Sequence, residues 1–83
     1  MHLQQEVEER LKENARRFIE TVEPERITVK LLYGEGWDHL HDVAQIGREF
    51  RVLVNAGDIP GLRSLPRNEW HNQRNHVEYA RDA

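Results

Sequence analysis

Apolar residues recur at helical spacing through the first quarter of the chain. Leu3, Val7, Leu11, Ala15, Phe18 and Val22 are separated by 4, 4, 4, 3 and 4 positions. This puts one stripe along a cylinder and predicts a helix over residues 3–22. Glu8–Lys12 and Glu13–Arg17 stand at the supportive i,i+4 spacing with Glu first. Pro24 disfavours the α conformation at Glu23 and predicts the stop. From Arg26 to Leu32 the period falls to two, with Ile27, Val29 and Leu31 alternating with Thr28 and Lys30, which predicts a short strand. Two glycines, Gly34 and Gly36, break that pattern, and Trp37 to His41 has room for about one helical turn.

A second amphipathic helix is predicted over 43–56. Asp42 is a good N-cap and Gln45, three residues on, completes a capping-box pattern. Val43, Ile46, Phe50, Leu53 and Val54 form its inward face; Ala44, Gln45, Arg48, Arg51, Val52 and Asn55 point outward, with Glu49 on the flank. Gly57 and Pro60 supply the stop, and Ile59-Pro60-Gly61 suits a type II turn. Residues 62–65 and 77–79 alternate as strands around a long polar loop, 66–75.

The order is therefore long helix, short strand, two helices, strand, loop, strand. It predicts an α+β chain of winged helix-turn-helix form, closed by a C-terminal β-hairpin wing. With 83 residues one domain is the ceiling, divided into an N-terminal helix, 1–23, and a body, 26–81. Tyr33, Trp37, Phe50, Leu53, Val54 and Leu62 are its expected core. The first stripe is longer than one-sided packing needs. Leu3, Val7 and Leu11 are accordingly expected to meet a second copy of the chain, with Phe18 and Val22 held in the monomer core.

The body also resembles a small uncharacterised bacterial and phage domain family. The residues that carry the resemblance are Ile27-Thr-Val-Lys-Leu-Leu-Tyr-Gly34, Trp37, Gly47-Arg48-Glu49-Phe50 and Val54-Asn-Ala-Gly57-Asp-Ile-Pro-Gly61, with Asn75 and Tyr79 in a closing segment. It spans about residues 27–81 and leaves the first helix outside. The resemblance implies a winged-helix-like fold and a bacterial or phage source, and no activity transfers with it.

Charge changes the picture along the chain. The net formal charge is −3, too acidic for a protein that coats DNA without selectivity. Residues 1–26 carry seven acids and five bases, but from Val43 to His76 five arginines stand against three acids, a balance of +2. Arginine suits paired contacts with guanine, phosphate or carboxylate. On the outward face of helix 43–56, Gln45, Arg48, Arg51 and Asn55 offer the side chains that read bases in a major groove; an ordinary solvated helix face offers the same ones. In the loop, Arg67, Trp70 and Arg74 could meet phosphates or a minor groove, or Trp70 could fold back onto the sheet.

Other chemistries find little support. There is no cysteine, which removes disulfides and thiolate chemistry. His39-x-His41 and His71 with His76 lack the i,i+4 spacing of helical zinc ligands, so no metal and no cofactor is expected. The single serine, Ser64, has no meaningful histidine spacing, and no catalytic residue or enzyme activity is expected. Apolar runs stop at three residues and the first residues have no basic start, so a cytoplasmic protein with no membrane partner is expected. The leading expectation is a transcriptional regulator of a phage or bacterium that binds double-stranded DNA, as a dimer. The alternative is a protein-binding module on the same fold, such as an inhibitor of a host protein or an antitoxin.

Overall fold

The structure, a computed structural model, describes residues 4–72 and 76–82. The first helix, α1, runs Gln5–Ile19 and buries Val7, Leu11, Ala15 and Phe18 on one stripe. It is shorter at its C-terminal end than the spacing predicts. Phe18 O accepts the Thr21 hydroxyl at 2.8 Å and Arg81 Nε at 2.8 Å, which satisfies a last-turn carbonyl before Pro24 is reached. Val22, expected in the core, lies past this stop and is 87% exposed.

The alternating segment divides in two. Strand β1 covers only Arg26–Thr28, and Val29–Tyr33 form a helix, α2. Thr28 caps it by accepting the Leu31 N–H, and the five-residue helix leaves carbonyls that α1 covers. Asn14 donates to Leu32 O at 2.8 Å and Arg10 Nε to Tyr33 O at 3.1 Å. The apolar residues of an alternating run fit this helix too: Leu32 and Tyr33 turn inward and Leu31 faces out. A 3₁₀ turn, Trp37–His39, then seats Trp37 against Tyr33 with ring centroids 5.8 Å apart.

Helix α3 spans Val43–Asn55, close to its predicted bounds. Asp42 caps it by accepting the Gln45 N–H at 3.2 Å. The reciprocal half of the capping box gives way, because the Gln45 amide donates to Glu49 at 2.8 Å instead. After α3, Leu62 N–H donates to Ile59 O, closing the turn around Pro60 and Gly61. Gly61 has φ +94°, and a Cβ there would come 3.1 Å from Ile19, so both the turn and the close approach of α1 require glycine.

Strand β2 is Leu62–Ser64 and β3 is Glu78–Arg81, with a 3₁₀ turn, Arg67–Glu69, between them. The sheet is antiparallel in the order β1-β3-β2, so the last strand is the middle one. Tyr79 lies opposite Ile27 on one side and Ser64 on the other. Its ring meets Phe50 edge-on at 5.1 Å, and with Leu11 these are the most deeply buried large side chains. Helices and a three-stranded antiparallel sheet thus give a small α+β fold; among the described residues no helix is long and apolar enough to cross a membrane.

Val7 and Leu11 sit inside this core, 6% and 0% exposed, which corrects their assignment to a contact with a second chain. Leu3 lies outside the described residues. Leu11→Ala should cost about 2–5 kcal/mol as a core truncation, and Val7→Asp or Leu11→Asp should unfold the chain rather than yield a folded monomer. Val22→Thr should shift stability by less than about 0.5 kcal/mol. Thermal melts followed by circular dichroism check all four.

Candidate functional site

The arginines separate into those the fold uses and those it leaves at the surface. Arg10 lies 4.3 Å over the Tyr33 ring and donates to Tyr33 O and Glu35 O. Arg81 stacks 4.0 Å over Phe18 while bonding Phe18 O and Thr21. Arg26 pairs with the buried Glu78 at 3.4 Å. By contrast, the guanidinium groups of Arg51, Arg63 and Arg67 make no hydrogen bond or ion pair among the described residues. Arg48 makes one, to Gln45 Oε1 at 2.6 Å.

On α3, Ala44, Arg48, Arg51 and Asn55 are all exposed and recur at 4, 3 and 4 positions, so they share one outward stripe. The expected base-reading set is brought onto one face, but its members are not equally free. Gln45 is half-buried between Glu49 and Arg48. Asn55 accepts the Ser64 hydroxyl at 2.8 Å, which ties the end of α3 to β2. Arg48 and Arg51 remain as the exposed cations.

The loop after β2 folds down onto the sheet. Trp70 is half-buried and its indole N–H donates to Leu65 O at 2.9 Å, so the expected insertion of a free Trp70 into a groove is corrected. Glu78 gathers the following residues: its carboxylate accepts the His71 N–H at 3.0 Å and the Asn72 amide at 2.9 Å besides Arg26. Asn72 and His76 close the loop through two 2.8 Å bonds. Arg67 is exposed on its 3₁₀ turn; Arg74 and Asn75 lie outside the described residues.

Beside the arginine stripe runs a groove of about 320 Å³ between α2, α3 and the start of β3. Its apolar wall includes Val29, Trp37, Val43 and Val77, and Tyr79 and Gly47 also line it. Gly47 lies in the interior of α3, where glycine costs up to about 1 kcal/mol relative to alanine. A Cβ there would meet only Val29, at an ordinary 3.9 Å, so packing does not demand glycine; its absence of side chain keeps the groove open. The Tyr79 hydroxyl is buried with no hydrogen-bond partner among the described residues. Burial pushes it above the ordinary phenol range, and the Arg51 charge pulls it part of the way back.

Sequence reasoning missed Tyr79, Glu78 and the groove, whose walls come from segments far apart in the chain. The one local signal is Gly47, a glycine inside an otherwise unbroken helical pattern. Comparison of the chain with protein-family models, curated protein sequences and solved structures returns no match.

Burial pushes the Glu78 carboxyl up, but Asn72, the His71 N–H and Arg26 outweigh it and hold the group below its ordinary value. A depressed carboxylate adds stability that is present above the unfolded value, about 4.3, and is lost as pH falls through the folded one. Wild type should therefore exceed Glu78→Gln in melting temperature by a constant margin above about pH 5, and the margin should narrow on acidification toward pH 3. A pH series of melts on both proteins checks this; a margin that widens in acid would reverse the assignment.

Proposed function

We propose that the chain is a small DNA-binding protein of winged helix-turn-helix form, serving transcriptional regulation in a bacterium or phage. The order α1-β1-α2-α3-β2-β3 and the sheet order β1-β3-β2 support the fold assignment, with α2 bracing α3 and the loop between β2 and β3 in the place of the wing. The observation that carries the functional reading is the pair Arg48 and Arg51, exposed on the outward stripe of α3, with the Arg51 guanidinium unbonded among the described residues. Such a pair can meet guanine edges or phosphates of double-stranded DNA, and Arg67, exposed on its 3₁₀ turn, adds a phosphate contact in this reading. Gln45 and Asn55 act chiefly in holding α3, to Glu49 and Ser64 respectively.

A second reading, a protein-binding module on the same fold, is favoured by exposed apolar side chains. Val52 on α3 is 61% exposed and Leu31 on α2 is 68% exposed. Such positions suit a docking surface better than a phosphate backbone.

Fluorescence anisotropy on a mixed-sequence duplex over a salt series separates the two. Arg48→Ala and Arg51→Ala should each weaken binding by about 1–3 kcal/mol and relax preference at one base position. Their stability should change by less than about 0.5 kcal/mol. Arg67→Ala should weaken binding to all sequences alike and flatten the salt slope by about one unit. No binding at low salt would remove the DNA reading and leave the protein-partner one.

A further inference from the structure

The groove beside α3 combines three features that a plain surface dent lacks. Its wall is mostly apolar, with Val29, Trp37, Val43 and Val77 among the lining residues. The charged side chains that line it are cationic, Lys30, Arg48 and Arg51, with the His76 imidazole beside them and no carboxylate among the described lining residues. Lys30 is partly committed to Asp38 at 3.5 Å, whereas Arg51 is not committed at all among the described residues. Lastly, Tyr79 lines the groove, is 1% exposed, and its hydroxyl lacks a hydrogen-bond partner among the described residues. Buried hydroxyls are bonded in the great majority of proteins, so an unbonded one beside a groove keeps a donor for whatever enters it.

We propose that this groove is a binding site for a small organic anion with an apolar body, an aromatic or branched carboxylate. Its body replaces water against Val29, Val43 and Val77, and its carboxylate accepts from the Tyr79 hydroxyl and from the Arg51 guanidinium, a charge-assisted pairing. The groove volume of about 320 Å³ is at the small end of the range for ligand sites, which limits the body to one or two rings. Gly47 leaves the space over α3 that such a body needs. The proposal does not rest on DNA binding, and its test contains no nucleic acid.

The test is a titration of the full chain with 2-naphthoate, followed by the NMR shifts of the Val29, Val43 and Val77 methyl groups. Saturable shifts are expected with a dissociation constant of about 1 mM or tighter, as for a ligand of this size. The neutral 2-naphthylmethanol should bind at least about five-fold more weakly, and Arg51→Gln and Tyr79→Phe should each weaken 2-naphthoate by about five- to ten-fold. Gly47→Leu should abolish binding while the circular dichroism spectrum stays that of the folded chain, and Arg63→Gln, away from the groove, should leave affinity unchanged. Equal affinity for the acid and the alcohol would overturn the proposal. So would unchanged affinity in both Arg51→Gln and Tyr79→Phe, or no saturable shift up to about 10 mM.

Discussion

The strand that closes the chain is also the strand at the centre of its sheet. β1 and β2 each pair with β3, and the sheet order holds them apart. Four consecutive residues of β3 then reach four different parts of the molecule. Glu78 holds Arg26 and the loop, Tyr79 fills the space against Phe50, Ala80 lies between Arg26 and Arg63, and Arg81 secures the end of α1. Because β1 and β2 each pair only with β3, the sheet rests on contacts between segments distant in sequence.

The same dependence explains what could be read in advance. The α1 stripe from Val7 to Phe18, the extent of α3 to within one residue, its Asp42 cap and the Pro60-Gly61 turn are local matters of spacing and backbone preference, and they stand in the structure. The strand over 26–32 fails because alternation at Ile27, Val29 and Leu31 is equally compatible with a short helix, and α1 decides between them through Asn14 and Arg10. Val7 and Leu11 read as surplus length only while the depth of the core is unknown. The site divides along the same line. Helical spacing is enough to put Arg48 and Arg51 outward, but the bonds that occupy Gln45, Asn55 and Trp70 join groups whose meeting depends on conformations and packing that no spacing rule expresses. The groove is further still from local reading, since α2, α3 and β3 each contribute a wall.

An acidic chain with an arginine-bearing helix face follows from how its charges are used. Arg10, Arg26 and Arg81 are spent on carbonyls, rings and one buried carboxylate, where a planar guanidinium can do two jobs at once. Along α1, Glu13 is matched by Arg16 and Arg17 at the surface. What is left over is concentrated on α3, on β2 and on the loop turn. Net charge therefore says little about this surface, and the unspent cations say more. Arg51 stands where the outward stripe and the groove meet, so anything that neutralises it from one side alters what the other side presents.

The groove proposed beside α3 requires that Tyr79 serve the fold through its ring alone, its hydroxyl making no bond among the described residues. Comparing the stability of wild type and Tyr79→Phe by chemical denaturation tests this most directly. With the ring's contact to Phe50 kept and only an unbonded hydroxyl removed, the variant should be as stable as wild type or more stable by up to about 1 kcal/mol. A loss of more than about 1 kcal/mol would mean that the hydroxyl is bonded within the chain, and would contradict the account.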